Sequence, residues 1–210
     1  SNIVTDEELR RVTLALETIR RRCPDTPVSI DTFRSSVAAR TIHKYGKVII
    51  NDISAGELDP LIVDVAAEHD VPYVAMHMKG DPRTMQSMTD YRDIVAEVVD
   101  YFRERTAQLR ERGVRRIVVD PGFGFAKTLE QNYELLRGLH RLAELGYPVL
   151  AGVSRKSMIY KLLGTTPAEA LNGTTALHWE CLRQGAVILR AHDTREAVEV
   201  VRMFDQFMQA

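Results

Sequence analysis

Six short apolar runs in this 210-residue chain end in polar side chains, and the types of those side chains decide what chemistry they could do. Gly152-Val153-Ser154-Arg155-Lys156-Ser157 places a hydroxyl and two cations where a strand gives way to a helix, which suits an anionic or carbonyl-rich ligand. The G-x-S-x-G spacing of a nucleophile elbow is absent, so Ser154 is not read as a nucleophile. Arg190-Ala191-His192 puts a guanidinium and an imidazole on one face of the last strand, because alternate residues share a face. After the last strands of a β/α barrel such a pair reads as a phosphate clamp. Asp120-Pro121-Gly122-Phe123-Gly124-Phe125-Ala126-Lys127-Thr128 reads as a sharp glycine turn that presents Phe123 outward over a flat ligand. It is not a nucleotide P-loop, since G-x-x-x-x-G-K-[ST] is missing. Asp31 has two readings, N-cap of the following helix or ligand contact. Asn51-Asp52 also has two, a buried hydrogen-bond network or a binding group. His77, between Met76 and Met78, lacks any close metal-ligand spacing and reads as a core histidine.

Those groups need a scaffold that collects strand ends. Strands are predicted at 27–31, 47–53, 71–77, 116–121, 148–152 and 186–193, each apolar enough to be buried on both faces. Helices are predicted at 5–22, 31–45, 59–70, 91–112, 128–145, 155–163 followed by 167–184, and 194–207. Thr5-Asp6-Glu7-Glu8 reads as a capping box that opens the first. The alternation is that of β/α units on a parallel sheet. All six runs end in polar groups, which favours a (β/α)8 barrel with one shared rim over an open doubly wound sheet, where ligands gather mainly at the switch point.

Composition removes other classes. Lys and Arg number 28 against 29 Asp and Glu, so no bulk charge favours nucleic acid or a membrane surface, and neither partner is expected. No apolar run reaches the roughly 18 residues of a membrane span. Cys23 and Cys181 are far apart and without C-x-x-C spacing, which reads as free buried thiols in a reducing cytoplasm.

Taken in order, Ser29-Ile30-Asp31-Thr32, Ile50-Asn51-Asp52-Ile53-Ser54, Met76-His77-Met78-Lys79-Gly80-Asp81-Pro82, Asp120-Pro121-Gly122-Phe123-Gly124-Phe125, Ser154-Arg155-Lys156-Ser157 and Arg190-Ala191-His192-Asp193 resemble the motifs of the dihydropteroate synthases. The resemblance covers nearly the whole chain as one barrel domain, 1–210. It implies condensation of 6-hydroxymethyl-7,8-dihydropterin pyrophosphate with p-aminobenzoate, with release of pyrophosphate, in folate biosynthesis. It implies a pterin site of Asp31, Asn51, Met76, Asp120, Gly152, Lys156 and Arg190. A p-aminobenzoate pocket would form at Phe123, Ser154 and Lys156, and a pyrophosphate site at Arg190 and His192. Asp31, Lys156, Arg190 and His192 are the residues expected to act in catalysis. The family also implies Mg2+, a homodimer through 171–182 with Ala176, Leu177, Trp179 and Cys181, a cytoplasmic location and a place among the sulfonamide targets.

The family's first-strand motif, with its magnesium-holding Asn, and its second-strand Gly-Glu-Ser-Thr-Arg-Pro-Gly motif have no counterpart here. No residue of this chain is therefore assigned to the metal, and the chain is expected to hold strands three to eight of a longer native barrel. Were Ser1 instead the true start, the chain alone is expected not to turn over. The nearest alternative is a related pterin-binding barrel, a methyltetrahydrofolate:corrinoid methyltransferase, which has no pyrophosphate to hold; from another class comes a barrel remnant without catalysis that binds a pterin or only a partner chain.

Overall fold

The computed structural model describes residues 3–80 and 88–209; the motif residues Asp81 and Pro82 lie outside them. Helix α1 (Thr5–Arg22) leads into β1 (Ser29–Asp31), α2 (Ser35–Tyr45), β2 (Ile49–Asp52), α3 (Leu61–Glu68), β3 (Tyr73–Met76), α4 (Ile94–Glu111) and β4 (Ile117–Asp120). Then follow α5 (Leu129–Arg137), α6 (His140–Ala143), β5 (Leu150–Ala151), α7 (Ser157–Tyr160), a 3-10 turn (Pro167–Glu169), α8 (Leu171–Arg183), β6 (Ile188–Leu189) and α9 (Thr194–Gln209). Among the described residues the strands run in the order β1-β2-β3-β4, with β5-β6 paired separately. A doubly wound sheet reverses its strand order at a switch point. Here the order is sequential, as a barrel requires. No described helix is long and apolar enough to cross a membrane. The chain divides into two compact units, Ser1–Met76 with Glu104–Val118, and His77–Arg103 with Val119–Ala210.

In the first unit, parallel pairing sets Asp31 opposite Asn51 and Asn51 opposite Val74, over a core that includes Leu16, Val37, Ile50 and Ile62. Helix α1 does begin at Thr5, but its N-cap is Val4 with no side-chain cap, so the expected Thr5–Glu8 box is not formed. Glu8 instead pairs with Arg34 and accepts from the Thr32 hydroxyl, tying α1 to the segment after β1. A half-buried ion pair is the stronger use of that carboxylate. Nor does Asp31 cap α2. That role falls to Asp59, whose Oδ2 accepts from Ser35 N at 2.7 Å.

Asp52 is fully buried at the end of β2, and its carboxylate takes four donors. Oδ1 accepts from Ser54 N (2.8 Å) and Ser54 Oγ (2.7 Å), and Oδ2 accepts from Gly56 N and the Tyr73 hydroxyl, both at 2.7 Å. A desolvated carboxylate needs this number of partners, and the network reading of Asn51-Asp52 is correct for Asp52. Arg105 of α4 donates to the Ala55 carbonyl beside it. Gly56 sits at φ +85°, where an added Cβ would stand 2.7 Å from both Arg105 Nη2 and Val63 Cγ2.

In the second unit, β5 and β6 pair in parallel and Val119 bridges Val149. The last strand is shorter than expected: Arg190 and His192 lie beyond it, although Arg190 N still donates to Ala151 O at 3.0 Å. The single helix expected over 128–145 is two. It opens with a Thr128–Gln131 capping box and breaks at Gly138, where a Cβ would meet both Val95 methyls at 2.7 Å. Of the two thiols, Cys181 is buried, which pushes it up to about 12, whereas Cys23 is exposed. Trp179 of α8 packs edge-on against Phe204 (5.4 Å) and Phe207 (5.5 Å) of α9, and the exposed apolar side chains nearby are Met203, Phe207 and Met208.

The two aspartates of the first unit should separate cleanly by mutation. Asp52→Ala strands two backbone donors and two hydroxyls in the core and is expected to cost about 3–5 kcal/mol in urea unfolding. Asp59→Ala removes a half-buried cap contact and is expected to cost about 1 kcal/mol. Equal losses would show that the Asp52 network does not hold this unit.

Candidate active site

Strand β4 delivers Asp120 to the mouth of the second unit. The carboxylate is buried, and its Oδ1 accepts from Gly122 N at 2.8 Å, inside the turn it opens. Burial pushes its ionisation upward, and Lys156, the Gly122 amide, Lys127 and Arg190 oppose the shift. Lys156 follows β5 as the N-cap residue of α7. Burial lowers its amino group to about 8, with Arg190 acting in the same sense and Asp120 against it. Its Nζ donates to the Phe123 carbonyl and lies 4.8 Å from the centre of the Phe125 ring.

Beside this pair, Gly152, Ser154, Lys156, Arg190, Ala191 and His192 line a cavity of about 170 Å³. Ser154 is buried and fully engaged by its neighbour: its Oγ accepts from His192 N at 3.1 Å and lies 2.9 Å from His192 Nδ1. The hydroxyl therefore orients the imidazole. The cavity is rimmed by cations and a hydroxyl, the chemistry of an anion site.

Two expectations change. Phe123 does not face outward, because its ring is fully buried and only its carbonyl serves the site; the half-buried ring of that turn is Phe125. The turn reverses twice, with Gly122 and Gly124 both at positive φ, and the first aromatic falls on the core side. Arg155, expected as a second ligand cation, is a brace. Its guanidinium grips Asp193 through two 2.8 Å bonds and donates to the Pro167 carbonyl at 2.7 Å and the Ala168 carbonyl at 2.5 Å, and its backbone holds φ +53°. Sequence reasoning missed this clamp. The Arg155 and Asp193 pair is visible only once the loops after β5 and β6 are seen together.

His77 is a core histidine, edge-on to Tyr101 at 4.9 Å, with Nδ1 3.2 Å from Lys127 Nζ. Burial and the neighbouring lysines hold it well below the usual imidazole range. In the first unit, Asp31 and Asn51 are register partners at the ends of β1 and β2; Asn51 is buried and Asp31 exposed. Met76 ends β3 and is buried. Among the described residues no group of three or more His, Cys, Asp or Glu could hold a metal.

The sequence profile of the pterin binding enzymes matches residues 1–192. A dihydropteroate synthase of Synechocystis sp. is 41% identical over 202 residues, which cover 95% of this chain and 69% of that protein. The Thermus thermophilus dihydropteroate synthase solved with 6HMPPP is 39% identical, with a TM-score of 0.89 over 96% of this chain and 80% of its own. The Xanthomonas albilineans enzyme in complex with 7,8-dihydropteroate is 37% identical, with a TM-score of 0.89 over 99% and 76%. The match extends over nearly the whole chain, and the chain belongs to the pterin binding enzyme family, among the dihydropteroate synthases of folate biosynthesis.

Proposed function

We propose that the chain condenses 6-hydroxymethyl-7,8-dihydropterin pyrophosphate with p-aminobenzoate, with its residues divided between a pterin end and a pyrophosphate end. The observation that carries this is the buried Asp120 carboxylate with Lys156 and Arg190 in electrostatic reach, beside the anion cavity. Asp120 accepts paired hydrogen bonds from the pterin's 2-amino and ring N–H groups, and Lys156 donates to its carbonyl. By the family resemblance, and not by any distance, Asp31, Asn51 and Met76 complete the pterin contacts, and Gly152 lies under the ring. That reading keeps 1–210 as one barrel domain.

Arg190 and His192 take the pyrophosphate. The carbon–oxygen bond between the pterin methylene and pyrophosphate breaks, and its electron pair leaves on the pyrophosphate oxygen. The amine of p-aminobenzoate bonds to the methylene carbon and releases one proton to the departing anion or solvent. The aniline nitrogen is already neutral and nucleophilic at pH 7, so no strong base is required. Phe125 replaces Phe123 as the ring beside this substrate, and Ser154 acts by fixing His192.

The donor set here does not fit magnesium, being cations and hydroxyls, so no step is routed through the metal. Mg2+ stays in the proposal as an expectation of the family, whose magnesium-holding Asn has no counterpart in these residues. The cytoplasmic location, the place among sulfonamide targets and the homodimer belong to the same reading. The dimer face keeps Trp179 of α8, which lines a surface groove with Met203 and Phe207 of α9, whereas Cys181 is buried within its own unit.

The whole protein that carries this chain, mixed with both substrates, is expected to release pyrophosphate, counted by a coupled phosphate assay. A methyl transfer from methyltetrahydrofolate without pyrophosphate release would select the corrinoid reading. Arg190→Ala removes a charge-assisted anion contact of about 1.5–3 kcal/mol and should raise KM for the pyrophosphate substrate roughly tenfold to a hundredfold. Affinity for p-aminobenzoate, measured with pterin present, should change far less; equal losses would contradict the pyrophosphate role.

The pH profile follows from the two opposed groups. Lys156 loses its proton near pH 8, earlier than a free lysine, so kcat/KM for the pterin substrate should fall as pH rises through about 8. Asp120 must be ionised to accept, and its upward shift moves the acid limb toward neutrality. Lys156→Met should remove the alkaline limb and keep the acid one. Light scattering at micromolar concentration should give twice the chain mass, and Phe207→Glu should give monomer.

A further inference from the structure

We propose that Lys127 is a positioning residue for the reaction: closed inside the turn after β4, its side-chain nitrogen fixes the carbonyls of Gly122 and Phe125 and so sets where the Phe123 carbonyl receives Lys156. The proposal rests on the reading of Lys156 as a pterin contact.

Lys127 is a buried lysine that forms no ion pair among the described residues. A methionine or leucine would occupy the same space without the desolvation cost, so its nitrogen calls for an account. Nζ lies 3.0 Å from the Gly122 carbonyl, 2.9 Å from the Phe125 carbonyl and 3.2 Å from His77 Nδ1. Three partners at these distances match the three donors of an ammonium. Burial lowers the group to about 7, and Asp120, Lys156, Lys79 and His77 are the ionisable groups that face it. The neutral amine still carries two hydrogens, enough for both carbonyls, so the hold on the turn persists through that titration.

The turn needs holding. Gly122 (φ +69°), Gly124 (φ +81°) and Ala126 (φ +51°) all lie in the left-handed region, and Ala126 is strained there. Its inward ties are the two carbonyls on Lys127, Phe125 N, which also donates to the Gly122 carbonyl at 3.0 Å, and Gly124 N, which donates to Asn132 Oδ1 at 2.7 Å. Its outward products are Gly122 N on the Asp120 carboxylate and the Phe123 carbonyl on Lys156. One internal nitrogen therefore braces the segment that sets both opposed groups of the pterin site. Nothing in substrate chemistry requires Lys127 to touch the reacting atoms.

The test uses the whole chain with Lys127→Met and Lys127→Gln. Amide hydrogen exchange at Gly122 and Gly124 reads the turn whether or not the protein turns over, and KM for each substrate reads its effect on the site. With Lys127→Met, both amides should exchange at least tenfold faster while core amides such as Ile50 keep their protection. KM for the pterin substrate should rise roughly tenfold, an effect that shrinks to under twofold in a Lys156→Met background; a merely structural role would add the two losses. Lys127→Gln, one bond shorter, reaches one carbonyl rather than both and should raise that KM at least threefold, which keeps the test in force if the methionine variant does not fold. Unchanged exchange at Gly122 and Gly124, an unchanged pterin KM in the glutamine variant, or additive losses would overturn the proposal. Absence of pyrophosphate release by the whole unaltered protein that carries this chain would instead count against the synthase reading, and the exchange measurement would still decide the role of Lys127 in the turn.

Discussion

Burying a carboxylate without neutralising it is the constraint around which the second unit is arranged. Asp120 is out of water with a single backbone donor, and burial alone would favour its protonated form. Three cations in reach, Lys156, Lys127 and Arg190, counter that tendency, and each carries its own desolvation or repulsion from the others. The opposed influences on Asp120 and Lys156 leave a buried carboxylate whose acceptor capacity its own unit does not fill.

Asp52 shows what a carboxylate looks like when nothing is left for a ligand. Both aspartates end strands and both are buried, yet Asp52 accepts four hydrogen bonds from its own unit and Asp120 one from its own turn. The distinction lies in unfilled acceptor capacity, not in burial. It also explains why the pair Asn51-Asp52 divides: the second residue is structural, and the first, with no side-chain hydrogen bond among the described residues, keeps an amide available.

Strand ends were legible in the sequence because a buried parallel strand must be apolar throughout, so a polar residue marks its exit. That rule located Asp31, Asn51, Asp120 and Lys156 and the order of the β/α units. Side-chain partners across loops were not legible. The Thr5 capping box has the correct spacing and loses Glu8 to Arg34, a residue 26 positions later. The outward reading of Phe123 failed because which of two alternating aromatics faces the core depends on the φ values of the intervening glycines, and glycine leaves those open. Lys127 passed as the tail of a loop, since only three-dimensional closure shows that its nitrogen is inside.

The contact between Lys156 and Phe123 runs through a main-chain oxygen. No codon change at position 123 can delete that oxygen; substitutions there alter only the ring and the core it fills. Inherited variation at this point is therefore graded, felt as looser or tighter packing and as small displacements of the lysine, whereas variation at Lys156 or at the left-handed Gly124 is abrupt.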